Sequence, residues 1–172
     1  HFPPRGPTPK PPDANAARFD YGTPDGYDYH RRLGPLSETR RYLGDNPYYL
    51  MHLEHPTYDQ FWKARNITAH LKGLTHAVLT VGGWFDAEDL VGPLLPYRSI
   101  EQSSPGIRNA VVVGPWAHGD WSRGDGNRLG NLDFRSPTSA YSRAAIEYAF
   151  FARHLDGGPA GAVAEATMFQ TG

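Results

Sequence analysis

Two polar residues with complementary chemistry follow two short apolar runs at the same offset. Asp86 comes after 77-AVLTV-81, and His118 comes after 109-NAVVV-113. If the two runs are neighbouring parallel strands, their carboxyl ends meet at one edge of a sheet, where ligands of such folds bind. An aspartate that orients a histidine supplies two of the three groups of a nucleophilic triad. Alone, Asp86 could cap a helix and His118 could bond to backbone; together they favour catalysis.

Asp86 belongs to the stretch 82-GGWFDAEDL-90, which holds two further carboxylates, Glu88 and Asp89. Two interpretations of this acidic pair are open. The carboxylates could stabilise the first turn of a helix through its dipole, a contribution of about 0.3–1 kcal/mol. Alternatively, they could pair with an ammonium group of a substrate and reject an uncharged analogue.

The same two loops carry aromatic side chains. Trp84 and Trp116 could line a substrate pocket, although packing in the core or at its rim explains them equally well. We expect no metal and no organic cofactor. The loop 120–133 holds several acidic residues but lacks the terminal Glu of an EF-hand, which indicates a solvated loop. The histidines without metal-ligand spacing are His52, His55, His70 and His76.

No residue of the chain is placed to act as the nucleophile. The sequence contains no G-x-S-x-G motif and no cysteine. In the α/β-hydrolase order the Ser precedes the Asp and the His. The one serine before Asp86 is Ser37, which lies at a predicted helix start, where a capping role is expected. We therefore expect the nucleophilic Ser upstream of residue 1 and an inactive isolated chain.

The apolar pattern predicts the elements that position these residues. The runs 77–81 and 109–113 are continuous and β-branched, as in strands of a parallel sheet that is covered on both faces. A helical pattern at 89–102 joins them into a right-handed βαβ unit, so the fold class is α/β. Further along, the pattern predicts a helix at 138–155 that ends at Gly157 and Gly158, and a strand within 164–172.

The first part of the chain predicts a different architecture. Residues 1–12 are rich in proline, which indicates an extended strap. Downstream, short helical patterns alternate with Gly and Pro turn signals, and none carries enough apolar surface for a large core. We therefore predict a helical cap over 1–72 that lies on another domain. The predicted helical segments are 24–34, 37–44, 46–55 and 57–66.

Composition argues against several classes of partner. The net charge is −1 and no stripe of Lys or Arg is present, so nucleic acid is not an expected partner. No apolar stretch approaches the ~20 residues of a membrane span, so a membrane is not expected either. The absence of cysteine does not identify the compartment. A periplasmic or secreted full-length protein stays open, and so does a homo-oligomer of it.

Four stretches, in order and at compatible spacing, carry a family resemblance. They are HPTYDQFW (55–62), GGWFDAEDL (82–90), GPWAHGDW (114–121) and EATMFQTG (165–172). These stretches are similar to motifs of the α-amino acid ester hydrolases, which belong with cocaine esterase and the Xaa-Pro dipeptidyl-peptidases among the serine hydrolases. The resemblance implies an α/β-hydrolase domain that is interrupted by a helical cap and followed by a β jelly roll.

By this resemblance the chain has three parts. Residues 1–72 resemble the cap segment with its Pro-rich strap, 73–158 the C-terminal part of the hydrolase domain, and 159–172 the first strand of the jelly roll. The resemblance makes Asp86 the triad acid and His118 the general base. The nucleophile and the oxyanion hole would lie before residue 1.

The same resemblance makes Glu88 and Asp89 part of a carboxylate cluster that holds the α-ammonium group of a substrate. The expected activity is hydrolysis of α-amino acid esters or related amides, with a small molecule as substrate and no cofactor. A general acyl esterase, an acylase and a Xaa-Pro dipeptidyl-peptidase are the alternatives within the enzyme class. A non-catalytic binding piece is the alternative outside it.

Overall fold

A computed structural model describes residues 20–44, 46–157 and 163–171 of the chain. The protein forms two compact units, which divide between Lys63 and Ala64. In the part of the chain that the structure describes, the first unit is helical, whereas the second combines strands with helices. This division precedes residue 72, where the sequence predicts the end of the cap.

Four short helices make up the regular structure described in the first unit, together with one 3-10 turn. They are α1 (Gly26–Leu33), the 3-10 turn Leu36–Thr39, α2 (Arg40–Leu43), α3 (Pro47–Glu54) and α4 (Gln60–Lys63). Asp25 caps α1 by accepting a hydrogen bond from the N–H of Tyr27, and Gly34 ends this helix with a φ of 77°. Asn46 caps α3 by accepting from the N–H of Tyr49. Every predicted helical segment therefore contains a helix.

The predicted capping role of Ser37 is wrong. The 3-10 turn begins one residue earlier, after Pro35, and no side chain caps it. The side chain that this turn buries is Thr39, whose hydroxyl lies 2.8 Å from the hydroxyl of Tyr49. Proline fixes the backbone at the turn entry, so a polar cap is not needed to set the start.

The second unit is built on a parallel sheet. The described strands of this unit are β1 (Val78–Gly83), β2 (Asn109–Gly114), β3 (Arg128–Leu129), β4 (Leu132–Asp133) and β5 (Ala166–Met168). The parallel sheet has the order β1-β2-β5, and β3 pairs with β4 separately. All residues of β2 are buried, as expected for a central strand with helices on its connections. The predicted βαβ unit is therefore confirmed.

Helices connect the strands of the parallel sheet. They are α5 (Leu94–Ser103), and the continuous helix of α6 (Thr138–Tyr141), a π-helical turn (Ser142–Glu147) and α7 (Tyr148–Leu155). The long helix has the predicted extent, but its π-helical turn was not predicted. Gly157 follows it with a φ of 64°, and Gly158 lies outside the described residues.

The core of the second unit lies beside the carboxyl end of β2. Val112, Trp116 and Ile146 form its buried cluster. Ile146 belongs to the π-helical turn, so the long helix packs onto the sheet at the level of the loop that follows β2. Partly buried apolar side chains surround this cluster, namely Leu79, Val81, Trp121, Val163 and Phe169.

The strand predicted near the C-terminus exists, but it pairs within the parallel sheet. Val111 and Val113 of β2 face Ala166 and Met168 of β5 in parallel register. The N–H of Phe169 donates to the carbonyl of Val113 at 2.9 Å and extends this ladder. The pairing does not confirm that 159–172 begins a jelly roll, and this assignment stays a prediction.

No helix among the described residues is long and apolar enough to cross a membrane.

The 3-10 turn Ile67–His70 packs against α5. The hydroxyl of Ser99 in α5 donates to the carbonyl of Thr68 at 2.9 Å. These contacts explain why residues after Lys63 belong to the second unit.

Candidate active site

The parallel register brings the two candidate loops together. Gly83 at the end of β1 pairs with Gly114 at the end of β2. Beyond this pair, the N–H of Phe85 donates to the carbonyl of Trp116 at 3.1 Å. A Cβ at Gly83 would collide with that carbonyl, and a Cβ at Gly82 would collide with the ring of Pro93. The two glycines therefore allow the close approach that the loops need.

His118 and Asp86 form a hydrogen-bonded pair at this edge of the sheet. Nδ1 of His118 lies 3.0 Å from Oδ2 of Asp86. Asp86 is 5% exposed, whereas more than half of the imidazole is accessible. The other carboxylate oxygen, Oδ1, accepts hydrogen bonds of 2.9 Å from the N–H groups of Glu88 and Asp89. Asp86 is thus held in place from both sides.

The surroundings of Asp86 keep it ionised. Its burial acts to raise the pKa of the carboxyl, but the hydrogen bonds from the N–H groups of Asp89 and Glu88 and from His118 outweigh burial. The pKa therefore lies below the ordinary value of 3.8. Because an ionised carboxylate can only accept, Nδ1 of His118 carries the proton and Nε2 is left as a base.

A cavity of about 270 Å³ adjoins this pair. Trp121 borders it and makes an edge contact with the imidazole of His118, with ring centroids 6.1 Å apart. Gly82 within β1, and Gly92 and Pro93 further along the chain, also border it. Its lining residues are Val81, Gly82, Asp86, Asp89, Gly92, Pro93, His118 and Trp121.

Glu88 and Asp89, predicted to act together, have different neighbours. The carboxylate of Asp89 lines the cavity and packs against Gly92, where a Cβ would collide with it. Glu88 is largely exposed, and its Oε2 lies 3.5 Å from Nδ1 of His118. Of the two carboxylates, Asp89 is the one that a ligand in the cavity would meet, while Glu88 adds negative charge beside the imidazole.

The two tryptophans also differ. Trp116 is 1% exposed, and its indole N–H donates to the hydroxyl of Thr138 at 2.9 Å. Trp116 therefore packs in the core, the alternative that the sequence left open to a place in a substrate pocket. Trp84 is partly exposed, and its indole N–H donates to the carbonyl of Phe169 at 3.2 Å. Its contact with a substrate stays a prediction.

A second His–Asp pair lies in the first unit. Nδ1 of His55 is 2.7 Å from Oδ2 of Asp59, and the ring of Phe61 stacks on the imidazole at 4.0 Å. The hydrogen bond from His55 holds the pKa of Asp59 below its ordinary value, against the opposing effect of burial. The indole N–H of Trp62 donates to the carbonyl of His55 at 2.7 Å. These contacts explain the HPTYDQFW stretch as a local packing motif.

No sequence pattern identified Arg123 as part of this region. Its guanidinium donates to the carbonyl of His118 at 2.6 Å. An arginine within a Gly-rich loop has no periodic pattern to reveal its partner.

In the ranges that the structure describes, no group of three or more His, Cys, Asp or Glu could hold a metal ion.

Comparison with known proteins extends these observations. Residues 10–120 match the profile of the X-Pro dipeptidyl-peptidase (S15 family). The cocaine esterase of Rhodococcus sp. (strain MB1 Bresler) is 29% identical over 105 residues, which are 61% of this chain and 17% of the relative. The chain thus spans a small part of the curated relative that it matches.

Solved structures give the same result. An aminopeptidase from the marine sediment archaeon Thaumarchaeota archaeon superposes with a TM-score of 0.84 and 29% identity, over 92% of this chain and 26% of that protein. An α-amino acid ester hydrolase superposes with a TM-score of 0.77 and 26% identity, over 86% and 25%. The resemblance found in the sequence is confirmed, and the chain belongs to the X-Pro dipeptidyl-peptidase (S15) family of esterase- and peptidase-type hydrolases.

Proposed function

We propose that this chain carries the acid–base pair of a serine hydrolase, which in the full-length protein cleaves α-amino acid esters or related amides. The observation that carries the proposal is the 3.0 Å hydrogen bond between Nδ1 of His118 and the buried carboxylate of Asp86. This bond leaves Nε2 of His118 free to take a proton from a nucleophile. Membership of the S15 family supports the same class of chemistry.

In the proposed reaction, a Ser outside these 172 residues attacks the acyl carbonyl of the substrate. Nε2 of His118 takes the hydroxyl proton as the bond between Oγ and carbon forms. When the tetrahedral intermediate collapses, the bond to the leaving group breaks and that group takes the proton. Water then attacks the acyl-enzyme by the same steps, and His118 returns the proton to the Ser. Asp86 stays ionised and stabilises the imidazolium.

Asp89 is the residue that we propose to bind the ammonium group of the substrate. Its carboxylate borders the same cavity as His118 and Asp86. A carboxylate in a confined cavity pairs with an ammonium group by charge-assisted hydrogen bonds and discriminates against an uncharged analogue. The names of two structural relatives, an aminopeptidase and an α-amino acid ester hydrolase, refer to substrates with an amino group.

The acid–base role can be tested in the full-length protein with the para-nitrophenyl ester of alanine. We expect hydrolysis that a serine-directed sulfonyl fluoride abolishes, with the adduct on a serine outside residues 1–172. His118→Ala should lower kcat by roughly 10⁴–10⁶-fold. His55→Ala, in the other His–Asp pair, is the matched control and should retain activity. Full activity of the His118→Ala protein contradicts the proposal.

The ammonium role can be tested separately with Asp89→Asn, which keeps the size of the side chain. We expect a loss of kcat/KM for the alanine ester of about 10²–10³-fold and little change for the propionyl ester, which lacks the amino group. Glu88→Gln is the comparison at the neighbouring carboxylate: Glu88 lies outside the cavity lining and beside the imidazole of His118, so any change in kcat/KM should be equal for the two esters. An equal loss on both esters contradicts the role of Asp89.

A peptidase activity is the second candidate, because residues 10–120 match the X-Pro dipeptidyl-peptidase family. The same acid–base pair would then cleave an amide after proline. The ratio of kcat/KM for Ala-Pro-para-nitroanilide to kcat/KM for the alanine ester distinguishes the two candidate activities. A ratio that favours the dipeptide would assign the protein to the peptidases.

A further inference from the structure

The loop that carries His118 has little regular structure of its own. After β2 it contains one 3-10 turn, Asp120–Ser122. Gly119, next to His118, has a φ of 76°, a conformation that turns the chain sharply. Backbone hydrogen bonds close its turns, but among the described residues none of them reaches the carbonyl of His118, which takes its donor from a side chain.

Arg123 supplies two side-chain donors from within the loop. Its Nη2 donates to the carbonyl of His118 at 2.6 Å, and its Nε donates to the carbonyl of Gly119 at 3.3 Å. The carboxylate of Asp120 lies 3.8 Å from the same guanidinium. The planar guanidinium therefore bridges the two carbonyl groups around the catalytic candidate.

Arg143 supplies further donors from the long helix. Its Nη1 donates to the carbonyl of Trp121 at 3.0 Å, and its Nη2 donates to the carbonyl of Gly124 at 2.6 Å. Nη1 also lies 3.5 Å from the carbonyl of Arg123. Among the described residues, Arg143 forms no ion pair with a carboxylate within 4.0 Å. Its donors are directed at the main chain of the loop.

The π-helical turn holds the backbone position from which the side chain of Arg143 extends. Ser142 and Ile146 of this turn are buried, and Ile146 packs in the core cluster with Trp116. π-Helical turns place one more residue in a turn than an α-helix does, and they occur frequently at functional sites. Here the turn directs Arg143 toward the loop while its neighbours stay anchored in the core.

We infer that Arg143 and Arg123 are positioning residues for His118. Their two guanidinium groups donate to the carbonyl groups of the loop on both sides of the 3-10 turn and thereby fix the imidazole against Asp86. The inference rests on the proposed function for its effect on catalysis, but the effect on the loop itself does not. A displacement of a catalytic group by about 1 Å can lower the rate of an enzyme by about 10²-fold.

The test uses Arg143→Met in the full-length protein, because methionine keeps an unbranched side chain but removes the donors. We expect kcat on the alanine para-nitrophenyl ester to fall by about 10–10²-fold, with KM changed by less than about two-fold. Arg143→Lys keeps the charge but lacks the planar fork, so it should recover only part of kcat. Arg153→Met removes the same charge from α7 of the same helix and should leave kcat unchanged.

Amide hydrogen exchange of the same proteins reports on the loop independently of catalysis. In Arg143→Met we expect faster exchange for residues 115–127 and unchanged exchange for β1 and β2. Unchanged exchange of the loop, or faster exchange throughout the sheet, overturns the inference. If the wild-type protein hydrolyses no ester, the proposed function fails, yet the exchange of the loop still decides whether Arg143 holds it.

Discussion

His118 donates to a carboxylate that lies 32 positions earlier in the chain, with Nδ1 3.0 Å from Oδ2 of Asp86. The parallel pairing of Gly83 with Gly114 brings the two loops to the same edge of the sheet. The N–H groups of Glu88 and Asp89 donate to the other oxygen of the Asp86 carboxylate and hold it in place. The geometry of the pair is therefore a consequence of strand register and of one tight turn.

Asp86→Asn in the full-length protein should lower kcat by about 10⁴-fold. The carbonyl oxygen of asparagine can still accept hydrogen bonds from the N–H groups of Glu88 and Asp89, so the fold should be retained. Its amide N–H₂ would then face His118 and favour the tautomer with the proton on Nε2, which cannot act as a base. The measurement is steady-state hydrolysis of the alanine para-nitrophenyl ester.

The matched control for this variant is Asp59→Asn, which makes the same change in the other His–Asp pair. We expect its kcat to stay within about two-fold of the wild type, because the His55–Asp59 pair packs within the first unit. Equal losses of kcat in the two variants would contradict the assignment of Asp86 to the reaction.

The ionisation of Asp86 also predicts how stability depends on pH. Because the folded pKa of Asp86 lies below 3.8, the unfolded chain binds more protons in acid than the folded protein does. The stabilisation from this carboxylate is therefore complete above about pH 5 and is lost as the pH falls through the folded pKa. Thermal unfolding of the wild type and of Asp86→Asn from pH 7 to pH 3 measures this contribution.

The difference in Tm between these two proteins isolates Asp86, since the other carboxylates titrate in both. We expect the advantage of the wild type to shrink as the pH falls below about 4. A difference in Tm that stays constant over the whole range would show that the carboxylate is not stabilised in its ionised form.

The sequence was sufficient to predict the two strands whose loops carry Asp86 and His118. The run 109–113 has the β-branched, continuous apolar pattern of a strand covered on both faces, and every residue of β2 is indeed buried. The offsets of Asp86 and His118 from the two strands then placed both at one edge. Local composition and the rules of parallel sheets were enough for this step.

The features that the sequence could not predict depend on contacts between distant residues. An aromatic ring after a strand can face a cleft or the core, and the hydroxyl of Thr138 decides this for Trp116. Neighbouring carboxylates can share a ligand, but Asp89 packs against Gly92 at the cavity while Glu88 lies beside the imidazole of His118. The π-helical turn has no signature in residue type, and its Ile146 packs in the core cluster with Val112 and Trp116.

The close approach of the loops makes a prediction about Gly83. A Cβ there would collide with the carbonyl of Trp116, a main-chain atom that also accepts a hydrogen bond from the N–H of Phe85. Gly83→Ala should therefore destabilise the protein by about 1–3 kcal/mol. Chemical unfolding measures this change. Gly26→Ala is the control, because a Cβ at Gly26 in α1 meets nothing within 4 Å and alanine favours a helix. A neutral Gly83→Ala contradicts the predicted collision.

Thr138 links the core to the loop of His118 through one hydroxyl group. This hydroxyl accepts from the indole N–H of Trp116 at 2.9 Å and donates to the carbonyl of Gly126 at 2.6 Å. Thr138→Val keeps the shape but leaves the buried indole N–H without a partner, so we expect a loss of about 1–3 kcal/mol in the free energy of unfolding. Thr138→Ser keeps the hydroxyl and should retain most of the stability.

Thr80→Val is the matched control for this substitution. Thr80 lies within β1, where a β-branched side chain suits the strand, and no hydrogen bond of its hydroxyl is seen in the described residues. We expect the free energy of unfolding of Thr80→Val to stay within about 0.5 kcal/mol of the wild type. If Thr80→Val and Thr138→Val lose equal stability, the cost comes from the change of residue type, and the hydroxyl of Thr138 does not link Trp116 to the loop.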